Sequence, residues 1–250
     1  MTENVNPTAV LIIIGNEILS GRTCDANLSF IGQRCEALGI DLIEGRIIQD
    51  IETTIIDIVN DYRTRVDYVF TTGGIGPTHD DITSASIAKA FGVELERNAE
   101  AVEVLERHYP SGKLNEARLK MADVPVGSRL IDNPVSSAPG FQIENVYVLP
   151  GVPSIMQAMF DGMTDRLTGG LPILTESVKT DLTEGGIAAE LSKVQAVYED
   201  VSIGSYPFFK AGFLGVNLIL RSTDNERLRE ATEKVKDMIL GMEGQIFKSK

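Results

Sequence analysis

The sequence predicts an α/β protein: an open, doubly wound sheet with helices on both faces, followed by a small α+β domain. Three observations predict it. Apolar, β-branched runs alternate three times with helical patterns across short connections, the rhythm of strands and crossover helices. The rhythm changes after TGGLP, residues 168–172, the best candidate linker. The 250 residues suffice for one large domain, or a large one plus a small one. The expected division is 1–170 and 171–250.

The first strand is TAVLIIIG, residues 8–15, a continuous apolar run of the kind buried on both faces. ANLSFIGQRCEALG follows as a helix with Leu28, Ile31, Cys35 and Leu38 on one face and Gly39 as its stop. IDLIEGRIIQD is the second strand, and 53–62 a helix with Ile55, Ile56 and Val59 apolar. VDYVFTT is the third strand. A helix over 80–91 ends at Gly92. Residues 98–109 and NEARLKMA are two further helices separated by Pro110. VYVLPG returns to a buried strand, and Pro153 suits the first position of the next helix. Beyond the linker, ILTESVKTDL, EGGIAAELSKVQAVY, VSIGSYPFF, GVNLILRS and DNERLREATEKVKDMILG read as β-α-β-β-α.

Composition narrows the function. Net charge is −13 and the sequence pI about 4.6. A nucleic acid as the main partner would have to overcome that field. Two lone cysteines, Cys24 and Cys35, and two histidines, His79 and His108, do not form a zinc site of the usual kind. The polar start has no signal-peptide pattern, and AVLIIIG is too short to span a bilayer. A soluble cytoplasmic protein is expected.

Ligands of a doubly wound sheet bind beyond the carboxyl ends of its strands. Those ends carry Gly15-Asn16-Glu17, Gln49-Asp50, TTGGIGPTHDD at 71–81, and Pro150-Gly151. Thr72, Gly73, Gly74 and Gly76 form a turn with exposed backbone N–H groups, ahead of a helix N-terminus that favours phosphate. The same residues also suit a simple strand-to-helix turn capped by Asp80 or Asp81. No Gly-Lys-Ser/Thr follows, and the GxGxxG spacing is absent. Glu17, Asp50, Asp80 and Asp81 would bring several carboxylates to one edge. A like pair about 4 Å apart at an effective dielectric of about 20 costs about 4 kcal/mol. A divalent cation that shares its coordination with a diphosphate would remove that cost. Solvated acids on separate loops are the alternative. Asn27 opens a helix and offers an amide to phosphate or ribose. Ser136 and Ser137 are turn formers that could also donate to phosphate. Arg118 and Lys120 are the basic pair nearest to them in sequence; either could neutralise a second phosphate or take charge from a leaving group, unless both face solvent as surface helix charges commonly do. His79 is a weaker candidate for general base than a carboxylate.

IGNEILSGRTCDAN, TTGGIGPTHDDIT, ARLKMADVP, NPVSSAPGF and LPGVP stand in an order that resembles the MoaB/Mog molybdopterin-binding-like domain family. The version is that of competence/damage-inducible protein A (CinA) and of the start of eukaryotic FAD synthase. GIGPTHDD and GSYP look especially like the latter. The resemblance covers nearly the whole chain. It implies a pyrophosphate-linked nucleotide or a pterin phosphate as ligand, with Asp50 and Asp81, joined by Glu17 and Asp80, holding magnesium, manganese or cobalt. Mog-type members adenylylate molybdopterin or help insert molybdate; the CinA type implies metal-dependent hydrolysis of ADP-ribose, and the FAD synthase type of FAD. The long middle insertion and C-terminal α+β domain look like the second group, so a dinucleotide pyrophosphatase is the expectation. A non-catalytic pterin or nucleotide carrier is the non-enzyme alternative. Relatives imply a homo-oligomer, dimer or trimer. Ser136 and Ser137 replace a common glycine and threonine, which puts phosphate contact there in question. Neither the deamidase domain of longer CinA proteins nor the synthase domain of FAD synthase is expected in a chain ending at Lys250.

Overall fold

A computed structural model describes residues 6–210 and 213–247. The chain divides into two compact units, one ending at Gly170 and one beginning at Leu171.

In the first unit β1 (Thr8–Ile14) leads through a short α1 (Asn16–Leu19) to α2 (Asn27–Leu38), β2 (Asp41–Ile48), α3 (Glu52–Tyr62), β3 (Tyr68–Thr72) and α4 (Thr83–Phe91). The middle segment holds β4 (Leu95–Arg97), α5 (Ala99–His108), α6 (Glu116–Leu119), a 3-10 turn (Lys120–Ala122) and β5 (Asp123–Pro125). Then come β6 (Arg129–Ile131), β7 (Gly140–Ile143), β8 (Val146–Leu149) and α7 (Pro153–Gly162). Six strands form one sheet in the order β2-β1-β3-β8-β7-β6. β2, β1, β3 and β8 run parallel, β7 pairs antiparallel with β8, and β6 pairs antiparallel with β7. The sheet is therefore mixed, and β4 pairs with β5 outside it.

β1 explains the core. Ala9, Leu11 and Ile13 pack against α2 and α7 residues such as Ile31 and Phe160, while Val10, Ile12 and Ile14 pack against Ile55 and Val59 of α3 and Ile87 of α4. A strand covered on both faces must be apolar at every position, which is why its sequence is continuous rather than alternating. α2 and α4 both end on a glycine in the left-handed region, Gly39 at φ 68° and Gly92 at φ 66°, where any side chain would be strained. Cys35 lies in the core, and burial pushes its thiol up to about 12.

Two expected details differ. Leu28 is 41% exposed. It lies over the edge strand, its Cδ1 2.9 Å from where a Cβ of Gly45 would stand, and Asn27 takes the buried place beside Ile31 and Cys35. The third helix begins at Thr83 rather than Asp80, because side-chain bonds close residues 78–81 into a turn.

The second unit follows the expected order, with one added strand. It comprises β9 (Leu174–Thr180), α8 (Glu184–Val197), β10 (Ser202–Lys210), β11 (Phe213–Ser222), α9 (Asn225–Gly241) and a short β12 (Ile246–Phe247). The sheet order is β10-β11-β9-β12, all neighbours antiparallel. Val178, Val216, Leu218 and Leu220 pack on Ile187, Val194, Leu228, Val235 and Ile239 of the two helices. Asp224 caps α9 by accepting from the N–H groups of Glu226 and Arg227, and Thr183 caps α8. Each such cap contributes about 1 kcal/mol. Among the described residues no helix is long and apolar enough to cross a membrane.

Candidate functional site

Four loops meet at the carboxyl ends of the parallel strands, and hydrogen bonds tie them. The Gly15 N–H donates to Ile48 O (3.1 Å), and the Gly73 N–H to Leu149 O (3.0 Å). The Asn16 N–H donates to Asp50 Oδ2 (2.9 Å), and Asn27 Nδ2 to Gly151 O (3.0 Å). β1, β2, β3 and β8 are thereby linked beyond their last residues.

The glycine turn is dictated by crowding. At Gly73 (φ 103°) a Cβ would stand 2.1 Å from the Ile14 carbonyl oxygen, and at Gly74 (φ 69°) 2.1 Å from Thr83 Oγ1. Thr83 is buried; its hydroxyl donates to Gly73 O (3.0 Å) and its N–H to Gly74 O (2.9 Å). The first helical residue thus clamps the turn that precedes it.

Two carboxylates approach this turn. Asp50 Oδ1 stands 3.6 Å from the Cβ position of Gly74; Asp81 Oδ2 stands 2.7 Å from that of Gly76, with Oδ1 at 3.0 Å. Asp81 Oδ2 accepts from the Thr78 N–H (2.8 Å) and the Thr78 hydroxyl (2.5 Å). Beside them lies a cavity of about 450 Å³. Its polar lining includes Glu17, Asp81, Thr23 and Ser136, and Ile75, Met121, Val152 and Ile155 supply apolar wall.

The structure places the other sequence candidates as follows. Gly73, Gly74, Gly76, Pro150 and Gly151 line the cavity, as does Ser136. Thr72 is wholly buried at the end of β3 and does not line it. Asn27 is only 3% exposed; its amide nitrogen donates to Gly151 O and so braces two loops, while its buried Oδ1 meets no hydrogen-bond donor among the described residues. Ser137, at φ 61°, turns to His108 Nδ1 at 3.2 Å. Arg118 donates to the Lys113 carbonyl and lies 4.4 Å over the Tyr109 ring. It lies outside the cavity lining, whereas Lys120 reaches the site loop by donating to the Thr78 carbonyl. Asp80 and His79 point to solvent, with side chains 68% and 97% exposed. Among the described residues no three His, Cys, Asp or Glu side chains gather into a metal cluster. Glu17, Asp50, Asp80 and Asp81 therefore do not form a closed protein cage.

Sequence reasoning missed Thr83, Thr78 and Asn133. Asn133 is 8% exposed. Its Oδ1 accepts from the N–H groups of Val135 and Ser136 (3.0 Å each), and its Nδ2 donates to Ser136 Oγ (2.7 Å) and Ala138 O (2.8 Å). The Asn-Pro pair at 133–134 was the available signal, since Asn before Pro favours turn initiation.

A mixed sheet whose glycine turn and acidic loops border a cavity at its carboxyl edge makes this an α/β domain with its candidate site at the strand ends. Residues 10–169 match the family described as probable molybdopterin binding domain, and residues 172–243 match the FAD synthase middle domain. The chain belongs to this MoaB/Mog-like family, in the two-unit form found with FAD synthase. It is 34% identical over 230 residues to a protein of Archaeoglobus fulgidus, covering 92% of this chain and 97% of the relative. It is 31% identical over 263 residues to the probable FAD synthase of Caenorhabditis elegans, covering 94% of this chain but 50% of the worm protein. The CinA protein of Thermoplasma acidophilum has a crystal structure with TM-score 0.61 and 35% identity to this chain, over 64% of this chain and 97% of that one.

Proposed function

We propose that this chain is a divalent-metal-dependent pyrophosphatase that hydrolyses ADP-ribose, FAD or a related dinucleotide and releases AMP. One observation carries the reading: carboxylates from two different strand ends, Asp50 and Asp81, lie against one glycine turn, where backbone N–H groups suit a diphosphate.

The donor set fits an open cation site. Asp50 and Asp81 each engage one oxygen, Oδ2, in the hydrogen bonds described above, which leaves Oδ1 of each as a ligand. Magnesium is held by one or two carboxylates plus substrate phosphates and water, so a three-acid cluster is not required. Asp50 and Asp81, with Glu17 at the cavity rim, would hold the ion. When bound it would neutralise charge on the diphosphate and activate water.

The chain's own groups do the rest. The Gly73 N–H is used within the sheet, so the N–H groups of residues 74–76 are the ones left to steady a phosphate. Ser136 Oγ accepts from Asn133, which leaves its hydroxyl proton to donate. Ile75, Met121, Val152 and Ile155 offer a dry wall to the planar ring of a nucleoside. Such a ligand would be bound by a chain of net charge −13, which favours a cation-dependent mode over direct anion binding.

Incubation with ADP-ribose or FAD, and separately with ATP plus molybdopterin, each with magnesium, manganese or cobalt, tests the reading through the AMP product. Free AMP is expected from the dinucleotides; AMP attached to the pterin would replace this reading with adenylyl transfer. Binding without turnover under every metal would leave a carrier. Asp81→Asn is expected to lower turnover by about a hundredfold or more with an unchanged melting temperature. Near-normal metal-dependent rates in that variant would remove Asp81 from the site. We also propose a homo-oligomer, dimer or trimer, which light scattering measures directly.

A further inference from the structure

The segment between Glu116 and Asp123 is built as a rigid presenter. Arg97 joins its two ends: Nη1 donates to Glu116 Oε2 (2.9 Å) and Nε to Asp123 Oδ1 (2.9 Å). These two acids, Asp123 first, raise the Arg97 guanidinium above its ordinary value. Ala122 is buried, and its carbonyl accepts from the Asn98 N–H (2.9 Å). Asn98 in turn caps α5 through Ala101 N (3.0 Å). Two side chains of this segment reach the site. Met121 forms cavity wall. Lys120 donates its ammonium to the carbonyl oxygen of Thr78.

Thr78 is the residue whose N–H and hydroxyl both hold Asp81 Oδ2. Its N–H and its carbonyl belong to successive peptide planes. A donor on the carbonyl fixes the plane after Thr78, and the carboxylate fixes the plane before it. The residue is thus gripped from both sides. The same carbonyl also accepts from the Asp81 N–H at a long 3.4 Å; without the ammonium that weak bond alone would hold the plane after Thr78, and residues 77–80, which are exposed, could rotate about Thr78 and release the carboxylate from its double bond.

We propose that Lys120 is a positioning residue for Asp81, acting through Thr78, and that the Arg97-bridged segment exists to present it. This rests on the reading of Asp81 as a site carboxylate. It replaces the expectation that Lys120 takes charge from a leaving group: the ammonium is committed to a backbone carbonyl of the protein's own loop.

The test uses the full chain and has one arm that needs neither metal nor substrate. Hydrogen exchange of the Thr78 amide, read by NMR, should accelerate at least tenfold in Lys120→Met and return to near the parent rate in Lys120→Arg. In hydrolysis, Lys120→Met should lower kcat about tenfold with KM within twofold. Thr78→Val should lower kcat similarly, and the double variant should lose little beyond either single one, as for residues acting in one chain of contacts. Melting temperatures within a few degrees of the parent exclude global unfolding; should Lys120→Met fail to fold, Thr78→Val with Lys120→Arg carries the comparison. An unchanged Thr78 exchange rate overturns the proposal. So does a tenfold rise in KM with kcat retained, the signature of a lysine that binds the ligand directly. If the parent hydrolyses no dinucleotide, the pyrophosphatase reading fails while the exchange arm still decides the role of Lys120.

Discussion

β1 and β11 are both well-buried strands, yet they leave very different places for chemistry. Every residue of β1 from Ala9 to Ile14 is buried, on both faces of its sheet. In β11, Val216, Leu218 and Leu220 are buried, while Asn217 and Ile219 are only partly so and Arg221 is exposed. A sheet covered on both faces can meet solvent and ligand only at the ends of its strands, so polar residues converge there. An antiparallel sheet with helices on one face spreads its polar residues along the strands. The first unit also carries most of the excess negative charge. Glycines, acids and a cavity coincide in the first unit because its topology leaves them one edge to share.

Three perturbations would break or sharpen this contrast. The largest effect is expected from Gly73→Ala, whose methyl would meet the Ile14 carbonyl at 2.1 Å in a left-handed backbone. It should cost about 3 kcal/mol or more and abolish AMP release, measured by chemical denaturation and product analysis. If the variant kept both stability and turnover, the convergence of strand ends would not be what makes the site. Next is Leu218→Ala in the second unit, expected to cost about 2–5 kcal/mol. Calorimetry should show a lowered transition for that unit alone, with dinucleotide hydrolysis within twofold of the parent. The smallest effect concerns Asp200, whose carboxyl is held below its ordinary range by Arg227 at 2.8 Å. A depressed folded pKa gives stability above the unfolded value of about 3.9, lost as pH falls through the lower folded value. Melting of the second unit from about pH 5 downward should therefore fall slightly less steeply in Arg227→Met. The pair is exposed, so the difference should be small.

The parts legible in the sequence were those fixed by local rules. The unbroken apolar run of β1, the glycine stops at Gly39 and Gly92 and the β-α-β-β-α order of the second unit follow from burial and backbone sterics. β6 and β7 were missed because three- and four-residue strands are too short to show a period. The start of α4 was misplaced because Asp81 bonds Thr78, a side-chain choice that shifts the helix three residues onward. The glycine turn and its neighbouring acids were visible as residue types. What Lys120 touches depends on a contact between residues 42 positions apart in sequence, and no local pattern encodes that. The same holds for Arg118, whose stacking on Tyr109 removed it from the cavity.

Asn133 has a consequence for how a ligand would arrive. With both faces of its amide satisfied inside the loop over 133–138, that wall is already in shape before anything enters. Association would then bear little entropic penalty from freezing it, so the affinity of that wall for a ligand is not diminished by the cost of ordering it.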